Sequence, residues 1–426
     1  MTDRASAAPA ARAASGVYFG WWVLLAATVG QVFGASNMLL FSLGVFSRPL
    51  AAEFGWTRPQ LAVAGTIILW SMVVVSPIQG WLVDRFGTRR VNLTTMPLFA
   101  VALASLYFLP PNIMVFYVAW FGITLCGIVL WSGPYNKIVA AWFDRRLGLT
   151  LGLANAGQGL GTAIIPPYTQ LLVGHFGWRA AYVGLGAAML IPFLFNLALL
   201  RDRPQDRGLL PDGDRGDPAT VQARAALLSG LTVRECLHRP AFWLILASFL
   251  LIGFMAGFVT TGMVPMLIDR GISPERAAAV ASVFGVGVIV GRLSVGWLVD
   301  RFFVAWVLIG SMMCPVAGLL MFATGTAGAA VFACALLVGL GIGSENDLLG
   351  FSIARYFGRR SYGKLYGLYI ASFQIGAGAS AVGLGVLRAA YGSYAPGLVA
   401  MAAALLVVML LFTRLGPYVY RAEAKA

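Results

Sequence analysis

Gly291-Arg292-Leu293-Ser294-Val295-Gly296-Trp297-Leu298-Val299-Asp300-Arg301-Phe302 sets one arginine inside an apolar run and closes on a heptapeptide that the chain has already used. The first copy, Gly80-Trp81-Leu82-Val83-Asp84-Arg85-Phe86, is identical to Gly296 through Phe302. Aligning Gly80 with Gly296 fixes an offset of 216, which also carries Gly55-Trp56-Thr57-Arg58-Pro59-Gln60 onto Gly271-Ile272-Ser273-Pro274-Glu275-Arg276 without a gap. Later in each copy, Phe143-Asp144-Arg145-Arg146 before Gly148 matches Phe357-Gly358-Arg359-Arg360 before Gly363. The chain is one unit written twice, the pattern of two pseudo-symmetric halves around a central site. Arg292 aligns with Ser76 and so stands outside that symmetry.

The surroundings of the repeat are apolar. Hydrophobic residues make up 59% of the chain and charged residues 11%, and mean hydropathy is +0.82. That leaves too little polar surface to enclose a water-soluble globule of this length, and a bilayer is the fitting solvent. The formal charge of +14 does not point to nucleic acid, because Lys and Arg fall in short clusters between apolar runs rather than on one face. Cys126, Cys236, Cys314 and Cys334 have no metal-ligand spacing, and His175 and His238 complete no ligand set. No metal, cofactor or enzymatic nucleophile-base pair is expected.

Runs of about 20 apolar residues, enough for a helix to cross the hydrocarbon, can be placed twelve times: 18–47, 58–82, 91–111, 113–140, 148–173, 179–200, 240–266, 275–298, 304–325, 328–354, 364–390 and 395–415. On alternate loops, about two dozen Lys and Arg fall on the side of both termini and about six on the other, which makes that side cytoplasmic. The predicted organisation is a disordered tail over 1–16, a six-helix bundle over 17–200, a linker over 201–239, a second bundle over 240–416 and a tail over 417–426. The linker, rich in Arg, Asp, Pro and Gly, buries too little apolar area to fold alone.

Gly80-x-x-x-Asp84-Arg85-x-Gly87-x-Arg89-Arg90 resembles the loop motif between the second and third helices of the major facilitator superfamily, with every position filled. The second copy departs after Phe302. Asp84 can cap a neighbouring helix N-terminus while the arginines meet carboxylates or C-terminal carbonyls. The resemblance implies a gating clasp between the halves that includes Asp84, Arg85, Arg89 and Arg90, with Asp144, Arg145, Asp300 and Arg301 in the matching loops. It also implies the fold: an all-α integral membrane protein, twelve transmembrane helices in two pseudo-symmetric six-helix bundles. Gly20-Trp21-Trp22, the run from Trp142 to Gly157, and Gly291-Arg292 together resemble the oxalate/formate antiporter and monocarboxylate porter group. In that group the arginine matching Arg292 binds the substrate carboxylate.

Arg292 lies about 12 Å above Asp300 at the helical rise, well inside the hydrocarbon. A charge there costs at least about 2.5–3.5 kcal/mol, so it should face a cavity or a partner. Glu345 and Asp347 sit at similar depth; two residues apart, they point about 160° away from one another, so one could pair with Arg292 while the other exchanges protons. Between Arg292 as an anion site and Arg292 as a structural ion pair, the planar fork favours a carboxylate. The proton-coupled animal members carry an aspartate where this chain has Val288, so any coupled proton needs another carrier. Lys137 is expected to snorkel to the interface; facing the cavity it would readmit a dicarboxylate. Asn37, Trp131, Tyr135, Asn136, Tyr369 and Gln374 are the candidate substrate-binding groups beside Arg292, with Asn155 and Gln158 as further polar residues.

The expected function is secondary transport of a small organic anion, a monocarboxylate with proton symport, by rocking the halves around a midplane site. The alternatives are mono- and dicarboxylate exchange, and proton-coupled efflux. Partners would be the carboxylate, protons and lipid, the functional unit a monomer, and the location a cell's inner membrane with both termini cytoplasmic.

Overall fold

The computed structural model describes residues 17–213, 230–343 and 345–420. The expectations for 1–16, for the middle of the linker at 214–229 and for 421–426 lie outside them.

The first half comprises α1 (Phe19–Val32), α2 (Ser42–Phe54), α3 (Arg58–Phe86), α4 (Thr88–Ser105), α5 (Ile113–Cys126), α6 (Ser132–Trp142), α7 (Leu147–Ala188) and α8 (Leu190–Leu199). After a short α9 (Val233–Leu237), the second half comprises α10 (Pro240–Thr261), α11 (Met263–Asp269), α12 (Pro274–Val299), α13 (Val304–Ala323), α14 (Ala330–Ile342), α15 (Glu345–Tyr356), α16 (Tyr362–Tyr391) and α17 (Ala395–Thr413). Among the described residues, nine segments are long and apolar enough to cross a membrane, including the 53-residue run Leu147–Leu199. Gly177, at φ +80°, divides that run into two spans. The pair α5–α6 and the helix α16 complete twelve.

Local chemistry sets the helix starts. Thr57 and Gln60 form a reciprocal capping box at α3, and Thr232 and Glu235 another at α9. Asn112 accepts from Met114 N and Val115 N at α5. Besides 18–47, which breaks after α1, two expected spans are broken in the middle: 113–140 divides between α5 and α6, and 328–354 between α14 and α15. An offset of 215, which carries Gly148 to Gly363, carries Trp131 at the first break to Asn346 at the second. Helix breaks at membrane depth persist only where protein or a polar cavity takes up the freed backbone groups.

The described ends of the linker are docked. They fold onto the bundle rather than alone. Tyr18 donates to the carbonyls of Trp142 and Leu210 at 3.0 Å each, and Trp142 Nε1 donates to Arg201 O at 2.8 Å. Asp212 accepts from the backbone N–H of Asp144 at 3.2 Å and of Arg145 at 3.0 Å. Further on, Leu231 N donates to Phe357 O and Ser361 donates to Leu231 O. The linker is thus tied to the matching loop of each half. The start of the expected C-terminal tail is also docked: Tyr418 accepts from Val304 N at 2.7 Å and packs on Phe303, Phe351 and Tyr356.

Candidate functional site

Two seams join the halves, α3 against α16 and α7 against α12. Both are built on glycines. A Cβ on Gly80 would overlap the Gly363 carbonyl, and one on Gly148 would overlap the Gly296 carbonyl. At the end of each seam nearest the linker, a repeat aspartate caps a helix of the opposite half. Asp84 accepts from Gly363 N and Lys364 N at 3.0 Å each. Asp300 accepts from Gly148 N at 2.7 Å and Leu149 N at 2.9 Å. The second copy of the motif, though truncated after Phe302, keeps the same contact. Asp144 is held by Arg355 at 2.8 Å, with Arg359 at 3.8 Å.

The motif cations differ from expectation in part. Arg89 donates to the carbonyl of Leu197 in the last turn of α8 at 3.0 Å, and its backbone N–H meets Asp202. Arg90 is exposed. Arg85 and Arg301, expected to meet carboxylates or C-terminal carbonyls, lie over aromatic rings one turn back: Arg85 5.3 Å from Trp81, Arg301 3.6 Å from Trp297. The helical spacing of the repeat puts the indole there first. Lys137 reaches the linker end of the α3–α16 seam. Its Nζ is bound to Asp84 Oδ1 at 2.8 Å and Val83 O at 2.9 Å, so it completes the first clasp. Arg145 is exposed at its side chain, while its N–H is capped by Asp212.

Deeper along the α7–α12 seam lies Arg292, 7% exposed. Its Nε donates to Gly343 O at 3.2 Å, Nη1 to Asn155 O at 2.5 Å and Nη2 to Gln158 Oε1 at 3.2 Å. The first acceptor is in its own half, at the α14–α15 break, and the others are in α7. Asn155 also donates through Nδ2 to Asp347 Oδ1 at 2.5 Å. Among the described residues neither Glu345 nor Asp347 forms an ion pair with Arg292. Of the open alternatives, a direct carboxylate pair is not formed: Asn155 stands between Arg292 and Asp347. Glu345 and Asp347 occupy the first turn of α15, where carboxylates answer the positive end of a helix that begins inside the bilayer.

A second cross-half cluster centres on Tyr366. Its hydroxyl donates to Asn346 Oδ1 at 3.1 Å, accepts from Asn136 Nδ2 at 3.4 Å and lies 3.1 Å from Ser132 Oγ. Around the two clusters several buried atoms lack a hydrogen-bond partner among the described residues: Glu345 Oε2, Asp347 Oδ2, Asn155 Oδ1, Asn136 Oδ1 and Trp131 Nε1. Unanswered polar atoms are costly at this depth.

The other candidates are dispersed. Asn37 sits in a π-helical turn, Asn37–Phe41, and spends its amide on the carbonyls of Gln31, Val32 and Gln158 and on Thr162. It repairs backbone freed by the break after α1, which corrects its assignment as a substrate ligand. Tyr135 accepts from Asn196 at 3.1 Å and its ring covers Gly30, so it is packed within the first half. Tyr369 packs on Phe242 and Phe249 in the second half. Gln374 is half-buried on α16. Arg355, Tyr366 and Asn346 were missed; Arg355 carried a signal, being a charge close to a span end with an aspartate in the facing loop.

A family model described as the Major Facilitator Superfamily matches residues 24–381. The chain belongs to the major facilitator superfamily. It is therefore a multi-pass transport protein of that superfamily, not an enzyme. Human "Monocarboxylate transporter 11" is 28% identical over 278 residues, covering 64% of this chain and 55% of that protein, so the chain spans about half the relative's length. "Uncharacterized MFS-type transporter YhjX" of Escherichia coli (strain K12) is 22% identical over 362 residues, 83% of this chain and 85% of that one. The crystal structure of the superfamily transporter FucP in the outward conformation matches with a TM-score of 0.70 over 92% of this chain and 97% of that chain, at 17% identity, a likeness of fold alone.

Proposed function

We propose that this superfamily member is a secondary active transporter of a small monocarboxylate, moved with a proton by alternating access between the halves. The observation that carries the reading is Arg292. It is a buried guanidinium at the interface of the halves whose hydrogen bonds, among the described residues, all go to neutral oxygens. A formal charge kept in a bilayer without a paired carboxylate calls for an anion that comes and goes. Lys137 is engaged by Asp84 in this conformation, which leaves Arg292 as the cation at the site among the described residues and supports a monoacid over a diacid. Relatives named monocarboxylate transporters support the same class.

Asp347 is the proposed proton carrier, with Glu345 beside it. Of the two, Asp347 is bonded to the opposite half, through Asn155, so its protonation state bears on how the halves meet. The clasp residues Asp84, Asp144 and Asp300 would hold the linker side shut, and that side is proposed to be cytoplasmic in a cell's inner membrane, the protein acting as a monomer. Purified protein in liposomes tests this. Uptake of labelled lactate, pyruvate or formate should be driven by an inward proton gradient and lost in Arg292→Ala. Asp347→Asn should lose net uptake while retaining exchange. Normal uptake by Arg292→Ala would overturn the site, and gradient-driven uptake by Asp347→Asn would overturn the carrier. Oxalate exchange without proton coupling would favour the exchanger reading.

A further inference from the structure

Arg292 presents a flat fork of two terminal nitrogens, the shape that receives both oxygens of a carboxylate side by side. In this conformation Asn155 O and Gln158 Oε1, two neutral oxygens from one helix of the opposite half, lie on those two nitrogens. They stand where the carboxylate oxygens would. The three residues are also matched as a set: the offsets relating the halves carry Arg292 back to Ser76, and Asn155 and Gln158 forward to Ile370 and Phe373. The equivalent seam repeats the backbone approach, with Ser76 donating to Gly367 O at 3.1 Å, but carries neither fork nor acceptor side chain.

The two acceptors are unequal. Asn155 O belongs to the α7 backbone. Gln158 Oε1 is on a half-buried, flexible side chain whose amide nitrogen, among the described residues, reaches only Ser36 Oγ, at 3.4 Å. It can turn aside without unravelling a helix. Gln158 Oε1 gives the fork one neutral acceptor, whereas a carboxylate brings an opposite formal charge and two oxygens in bidentate register, so an arriving acid has the advantage.

We infer that Gln158, together with the Asn155 carbonyl, is an internal substitute for the substrate carboxylate, closing the α7–α12 seam when the site is empty and yielding when an acid binds. This rests on the proposed role of Arg292 as the carboxylate site. Binding and the release of one half from the other become a single exchange of partners at one fork. The measured affinity is then the intrinsic affinity lowered by the competition of Gln158.

The test is equilibrium binding to the full-length protein in detergent, with formate, lactate, pyruvate and benzoate as probes and chloride as control. Gln158→Met keeps the volume and removes the oxygen; the Kd of the tightest probe should fall by roughly 3- to 10-fold. Gln158→Glu places a charged carboxylate on the fork; the Kd should rise by about 10-fold or more. A glutamine that only packs helices would weaken binding in both or leave both unchanged. Either folded variant moving against its stated sign, or not moving, overturns the inference while leaving Arg292 as the site. Absence of binding of every probe to the wild type would overturn the Arg292 assignment, and this inference with it.

Discussion

A guanidinium inside a bilayer needs its N–H groups answered, and this chain answers two buried ones differently. Arg355 meets a carboxylate, Asp144, at 2.8 Å; Arg292 meets neutral oxygens. The first arrangement is self-sufficient and suits a lock, whereas the second leaves its formal charge to be matched by a visitor. The lock has a further support at Asp212, a residue held at φ +61°, a left-handed conformation that aspartate tolerates better than most side chains. Burial raises the pKa of its carboxyl, and the charge of Asp144 adds to this, against the two N–H groups it accepts from. The sign follows: the docked state disfavours the ionised form, so docking is penalised above the raised pKa and strengthens as pH falls through it. Hydrogen exchange at the Asp144 and Arg145 amides, corrected for the intrinsic rate, should slow as the pH is lowered. Asp212→Asn should abolish that dependence. Protection independent of pH in the wild type would contradict it.

At the scale of elements, the glycine seams decide what can move. Gly80 lies so close to the Gly363 carbonyl that Gly80→Val must push α3 from α16, an overpacking that costs about 1–3 kcal/mol in the closed state and nothing where the seam is open. With the native cysteines replaced and Lys364→Cys as reporter, Gly80→Val should raise labelling by a hydrophilic maleimide several-fold; unchanged labelling would show that the seam is not a barrier to solvent. Such seams were partly legible in the sequence. Apolar length gave the spans, and the loop motif gave Asp84 as a capping residue, because both are properties of contiguous residues. The breaks before Ser132 and Glu345 were not legible. Periodicity reads straight through Gly127 and Gly343, and only tertiary packing shows that the freed backbone groups find other partners. Depth could be counted from the nearest charged loop, which is why Arg292, Glu345 and Asp347 were placed at one level. Azimuth could not, so the pairings of Lys137 with Asp84, Arg355 with Asp144 and Gln158 with Arg292 appear only when helices far apart in sequence are brought together.

For the molecule as a whole, the two ends are stapled by different rules. Near the linker, Asp84, Asp300 and Arg355 each reach across to the other half. At the far end, Glu53 binds Arg179 and Trp178 within the first half, and Asp269, its counterpart at the offset of 216, binds Arg388 and Tyr394 within the second. Each half is braced as a body at one end and joined to its neighbour at the other. If the halves move as rigid bodies, loss of one cap must loosen both seams. Asp84→Ala, worth about 1 kcal/mol as a lost cap, should therefore raise the population of long distances between spin labels placed across the α7–α12 seam, which Asp84 does not touch. A change confined to the α3–α16 distance would mean that the seams open separately.

The reciprocity of Asp84 and Asp300 is the contact pattern of an isologous dimer, in which one residue meets a second and the second meets the first again across a two-fold axis. In a dimer of identical six-helix units, an arginine at the level of Arg292 would occur twice, one copy on each side of the axis, and a small anion would face two like charges. Covalent fusion of the copies removes that constraint. Ser76 in one copy and Arg292 in the other give this pair of equivalent positions one cation, a stoichiometry that exact two-fold symmetry forbids.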